Sequence, residues 1–196
     1  MLRLKQAQLH QSITEEQARL DRVRARLRQI EREGELPANE VIVRDIPELR
    51  VLRCREILSH TSEIKTFFER IRRATGTNPI QTTGPWIALY WEGEYKTRDI
   101  DVEGAIPISE DGPQSLQLDD ERYMQVGILP PVKVASTLCH MVSDADVRLA
   151  NRHLCAWIEN NGYAISDGPG REVYAVAHQH DKTLIFEIQL PIEKHM

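Results

Sequence analysis

Positions 2, 6, 9, 13, 16, 20, 23, 27 and 30 advance in alternating steps of four and three. Seven of the nine are apolar: Leu2, Leu9, Ile13, Leu20, Val23, Leu27 and Ile30. This is a heptad seam, and it predicts a helix that packs on another helix. Nothing interrupts the pattern before Gly34, with Pro37 just beyond as a stop. At about 1.5 Å per residue the helix would run about 50 Å, too long to bury its stripe on a small domain. A homodimer through residues 2–30 is therefore expected, with residues 1–34 as a dimerisation segment. Gln6 and Glu16 in the seam would help set register. Arg19, Arg22, Arg24, Arg26, Arg28 and Arg32, interleaved with Asp21, Glu31 and Glu33, read as its solvated face.

From residue 35 onward the pattern changes to short β-favouring runs and two amphipathic stretches, and it occurs twice. Gly84-Pro85 returns as Gly168-Pro169, Tyr90 as Tyr174, Glu103 as Glu187 and Pro107 as Pro191, each 84 positions later. Upstream the offset is 83, since Pro47 matches Pro130 and Val51 matches Val134. Such small slips fall where loops belong, as in a duplicated structural unit. In the first copy, Val41 to Ile46, Arg50 to Leu58, Trp86 to Trp91 and Ile100 to Ile108 read as strands, and Ser62 to Thr75 as a helix carrying Ile64, Phe67, Phe68 and Ile71 on one side. In the second, Tyr123 to Leu129, Val132 to Val142, Arg171 to Ala177 and Thr183 to Ile192 are strands and Ala145 to Asn160 a helix. Ser143 and Asp146 have the spacing of its capping box. The expected fold is α+β: tandem βαββ units, about 41–108 and 124–192, each with a short leading strand and antiparallel pairing, within a domain spanning 35–196.

Two copies packed about a pseudo-twofold axis leave a cleft, the usual place for a small molecule. On the strand after Gly168-Pro169, Glu172, Tyr174 and Val176 share one face. A carboxylate there would be partly desolvated, its pKa raised, and fit either to accept a cationic group or to act as a general base. Hydrogen bonding to backbone groups, or pairing with Arg171 or Lys182 at a sheet end, would account for it equally well. Asp99, Asp101 and Glu103 also share a face; Glu103 is a candidate for ligand binding, but because it recurs as Glu187 it fits the shared scaffold better than a single ligand. Trp86, Tyr90, Trp91, Tyr163 and Tyr174 are candidates for stacking on a flat or cationic ligand. Trp157, at helical spacing from Leu154, belongs to the core.

Charge and composition narrow the classes. The net charge of −5 advertises no nucleic-acid surface, and the first 34 residues are the basic part. Cys54, Cys139 and Cys155 are too few for a disulfide framework and suit a reducing compartment. With no signal peptide and no apolar run of about 20 residues, a cytoplasmic protein without a membrane span is expected. Cys139-His140, His153-x-Cys155 and His178-x-His180 lack the spacing of a metal site, and no phosphate-loop, dinucleotide or nucleophile-elbow motif is present, so neither metal nor cofactor is expected.

The seam helix with Glu33-Gly34, the segment Gly84 to Tyr90, the run Asp99 to Glu103, and the block from Trp157 through Gly162-Tyr163 to Gly168-Pro169-Gly170-Arg171-Glu172-Val173-Tyr174 resemble the GyrI-like effector-binding domain. The likeness is strongest to the form attached to MerR-type transcriptional regulators and covers essentially the whole chain. It implies a ligand pocket between the two copies, with a glutamate matching Glu172 and nearby aromatics facing lipophilic, often cationic compounds. It implies that the helix over Leu2 to Ile30 matches a coiled coil that joins a DNA-binding head to the sensor. This chain lacks that head and is not expected to bind DNA alone. Some proteins of this fold hydrolyse reactive molecules such as cyclopropanoids; in that alternative Glu172 activates water and Tyr174 orients the substrate. Gyrase-inhibiting relatives suggest a protein-interaction module as a third class. Where the family often has His-x-Gly-x-Tyr, this chain has His140-Met141-Val142-Ser143-Asp144, which makes His140 a candidate pocket residue and alters the wall around it.

Overall fold

The computed structural model describes residues 40–78, 80–92, 96, 98–119, 121–174 and 184–195. The seam helix and the dimer expected through residues 2–30 lie outside the described residues, as do Val176 and Lys182. Strands β1 (Ile42–Ile46) and β2 (Leu49–His60) are separated by Pro47-Glu48, where proline offers no amide to a ladder. Helix α1 (Ser62–Thr77) buries Phe67, Ile71 and Ala74, whose spacing of four and three makes one stripe. Strands β3 (Trp86–Tyr90) and β4 (Arg98–Pro107) complete the first copy. A short strand β5 (Ser115–Gln117), not foreseen from the sequence, precedes the second copy.

That copy comprises β6 (Tyr123–Leu129), β7 (Val132–Met141) and α2 (Asp144–Asn160), then a second unforeseen short strand β8 (Tyr163–Ile165), β9 (Gly170–Tyr174) and β10 (Leu184–Lys194). The capping box is present: the Asp146 carboxylate accepts the backbone N–H of Ser143 at 2.8 Å. At its other end α2 stops against Gly162, whose φ of +74° is open to glycine at little cost.

Among the described residues all pairings are antiparallel, and the strands run in the order β1-β7-β10-β9-β3-β4-β2-β6-β5, with β8 beside β10. The two copies meet at β3 and β9, where Trp86 faces Tyr174, Ala88 faces Glu172 and Tyr90 faces Gly170. An offset of 84 maps Trp86 onto Gly170, Ala88 onto Glu172 and Tyr90 onto Tyr174, so exchanging the copies returns the same pairs. The pseudo-twofold axis therefore passes through the Ala88–Glu172 pair. Flanking registers repeat as well, with Val51 opposite Pro107 and Val134 opposite Pro191. The leading strands are exchanged: β1 pairs with β7 of the second copy, and β6 with β2 of the first.

Exchange has a geometric consequence. Pro47-Glu48 and Pro130-Pro131 each span about 10 Å at most, yet they connect strands from opposite halves of the sheet. The sheet must curl until its margins meet. Its inner face encloses Val51, Ile87, Leu89, Ala105 and Leu129. The outer face carries the helices, α1 over Leu52, Val102 and Ile106, and α2 over Ala135, Cys139, Phe186 and Ile188. Gly104 lets α1 lie this close, since a Cβ there would stand 2.5 Å from Ile71 Cδ1.

Candidate functional site

On the outer face the central strands β3 and β9 run between the core under α1 and the core under α2. Strand alternation turns Trp86, Ala88 and Tyr90 toward this side, together with Gly170, Glu172 and Tyr174. Glu172 is half-buried on the pseudo-twofold axis. Its Oε2 accepts the hydroxyl of Tyr90 at 3.0 Å and a short hydrogen bond from the hydroxyl of Tyr174. Its Oε1 accepts no hydrogen bond from any described residue, which leaves one carboxylate oxygen for something else.

Burial pushes the Glu172 carboxyl above its ordinary range, and the hydrogen bonds from Tyr174 and Tyr90, which favour the ionised form, pull the other way. Tyr174 is raised well above the usual phenol range, first by burial and then by the charge of Glu172. Cys139 is pushed up to about 11, again by burial first and Glu172 second, and stays a neutral thiol. Tyr174→Phe removes a donor to the carboxylate and should move the Glu172 titration to higher pH, as followed by the side-chain carboxyl carbon in NMR. A move to lower pH would contradict the assigned hydrogen bond.

Aromatic rings close the surroundings. Phe68 of α1 lies 5.8 Å from Tyr174 between centroids, and Phe186 of β10 lies 5.2 Å from it on another side. Phe67, edge-on to Phe68 at 5.1 Å, anchors the first of these to the core. Tyr90 and Phe68 come from the first copy, and Glu172, Tyr174 and Phe186 from the second, so both copies build the site.

Of the residues singled out in the sequence, Glu172, Tyr174, Tyr90 and Trp86 are brought together. Glu103 is not with them: it is wholly buried on the inner face, paired with Arg53 at 2.5 Å and accepting Trp91 Nε1 at 2.9 Å. Its repeat mate Glu187 is held by Arg44 at 2.6 Å through both carboxylate oxygens. His140 alternates with outer-face Cys139 on β7 and lies opposite Ile185, so it faces away from Glu172. Tyr163 stacks on Trp157 at 6.2 Å and pairs with Lys194, six residues along β10 from Ile188, the partner of Glu172. At about 3.4 Å per residue that is about 20 Å away. Arg171, expected as one partner for Glu172, points to the other face.

Phe68, Phe186 and Cys139 were not singled out as site residues. Phe68 stood among the apolar residues of its helix with no mark that it meets Tyr174, and Phe186 reaches Tyr174 only through the β9–β10 register. A separate shallow groove of about 400 Å³ is lined by Arg53, Arg55, Tyr123 and Gln125. It lies three strands from Glu172, and its arginines are engaged, Arg53 by Glu103 and Arg55 by Asp101 at 2.6 Å.

The family described as "GyrI-like small molecule binding domain" matches residues 39–193. No curated protein sequence matches the chain. Among solved structures, the EcmrR C-terminal domain aligns with a TM-score of 0.65 and 24% identity, over 80% of this chain and 98% of that one. The cryo-EM structure of the EcmrR–DNA complex in EcmrR-RPo aligns with a TM-score of 0.67 and 21% identity, over 96% of this chain and 70% of that one. SAV2435 bound to tetraphenylphosphonium aligns with a TM-score of 0.53 and 15% identity, over 79% of this chain and 94% of that one. At these identities the likeness is one of fold.

Proposed function

Because the chain belongs to the GyrI-like family of small molecule binding domains, we propose that it senses a lipophilic, cationic or aromatic compound at Glu172, where the two copies meet, as the ligand-reading part of a MerR-type transcriptional regulator. One observation carries the reading: a half-buried carboxylate on the pseudo-twofold axis, held by Tyr90 and by a Tyr174 that packs on Phe68 and Phe186, with Oε1 unengaged by any described residue. Without its counter-ion this carboxylate is costly to ionise, and a cation with apolar arms offsets that cost while resting on the ring faces. A neutral donor of the same shape would gain less.

Sensing follows from the shared construction. A ligand that touches Tyr90 and Phe68 from one copy and Glu172 from the other favours one mutual arrangement of the copies. It shifts the population by its differential affinity for that arrangement. The proposed homodimer through residues 2–30 would transmit the shift. The bound tetraphenylphosphonium of SAV2435, a lipophilic cation on the same fold, supports the ligand class, and the DNA complex of EcmrR supports the regulatory setting.

Calorimetric titration of the full chain with tetraphenylphosphonium tests this reading. Saturable binding at one site per chain is expected, tightening as pH rises through the range in which Glu172 ionises. Absence of saturable binding, or an affinity indifferent to pH, would count against it.

A further inference from the structure

The comparison between copies that isolates Glu172, whose mate is Ala88, isolates a second departure on the opposite face. The mate of Arg171 is Ile87, and the mate of Gln189 is Ala105. At these two positions the first copy has apolar side chains, followed along the row by Arg53, while the second places a guanidinium directly across from an amide, with Ser136 next along the row. All three are sealed in: Arg171 is 4% exposed, Gln189 3% and Ser136 3%.

Arg171 makes no hydrogen bond or ion pair with any described residue, and its Nε is fully enclosed without an acceptor. The inner-face carboxylates are engaged elsewhere: Glu103 by Arg53, Asp101 by Arg55 and Glu187 by Arg44, and none of them pairs with Arg171. Burial depresses its pKa, with no neighbouring acid to offset the effect. A buried, unpaired cation costs stability, and an anion that reaches it returns much of that cost.

We propose that Arg171 and Gln189 form an anion site on the inner face of the sheet, with the donor geometry for a small carboxylate or another planar oxyanion. The guanidinium offers a parallel pair of N–H donors that matches such an anion, and the Gln189 amide adds a third from the neighbouring strand. Ser136 Oγ already donates to the Ile42 carbonyl at 3.3 Å and serves as a polar wall. The site is on the other side of β9 from Glu172 and does not depend on how that residue is used.

Thermal unfolding of the full chain in sodium formate, acetate or nitrate, at ionic strength held constant with sodium chloride, tests it. A saturable rise in Tm is expected for at least one of these anions, about 5–10 °C at a hundredfold excess over its dissociation constant. Arg171→Ile, which installs the first copy's residue, should abolish the rise. Gln189→Ala should weaken it, and Glu172→Gln should leave it in place. If Arg171→Ile does not fold, Arg171→Lys decides: it keeps the charge, loses the paired donors, and should bind at least tenfold more weakly. No saturable rise with any of the three anions, or the same rise in the arginine variant, would overturn the proposal.

Discussion

Glu172→Gln is expected to weaken the binding of a lipophilic cation about 10–100-fold while leaving a neutral aromatic compound of similar shape within about threefold. The change keeps side-chain volume and the possibility of hydrogen bonds from Tyr90 and Tyr174, and removes only the charge. A charge-assisted interaction in a partly desolvated site is worth about 1.5–3 kcal/mol, the origin of that factor. The same substitution should stabilise the unliganded protein. Because the folded-state pKa of Glu172 is raised, the folded protein holds its proton more firmly than the unfolded chain does. Stability from this group is thus fully present below the unfolded carboxylate range and is lost as pH rises through the folded one. Near neutral pH the glutamine variant should be more stable by about 0.5–2 kcal/mol, the usual gain when a functional site is relaxed. Urea denaturation at several pH values checks this; a variant less stable than the parent at pH 7 would show that the ionised carboxylate is a structural asset.

Phe67→Ala should cost about 3–5 kcal/mol, a third or more of the stability of an ordinary domain. Phe67 is 1% exposed, fills the space between α1 and the first half of the sheet, and lies over Gly104, where the strand has no side chain to move into a void. The cavity would stay open, and Tm should fall by about 6–20 °C. Phe67 also braces Phe68 against Tyr174, so cation affinity should drop as well, by less than in the glutamate variant. A calorimetric Tm within 2 °C of the parent would mean that α1 collapses onto the strand after all.

The fold was legible because duplication left fixed marks. Pro107 and Pro191 occupy the same register against Val51 and Val134, and Tyr90 and Tyr174 both reach the carboxylate on the axis. The amphipathic spacing of Phe67 and Ile71, and the Ser143–Asp146 box, set the helices. Exchange of β1 and β6 between copies was not legible, since a two-residue link containing proline looks the same whether the next strand lies beside it or across the curl. The site was legible within a strand and not between strands. Alternation along β9 places Glu172 with Tyr174, but whether Glu103 or His140 joins them depends in each case on two successive registers across three strands. The structure turns both to the other side. Phe68 and Phe186 meet Tyr174 only through packing that no local pattern encodes.

The central claim is that one acidic oxygen on the axis relating the two copies anchors the ligand. A crystal structure of the chain with tetraphenylphosphonium tests it most directly. The account places the phosphonium centre over Glu172 Oε1 with phenyl arms against Tyr90, Tyr174 and Phe68. A cation seated in the groove of Arg53 and Tyr123, or one leaving Glu172 untouched, would contradict it.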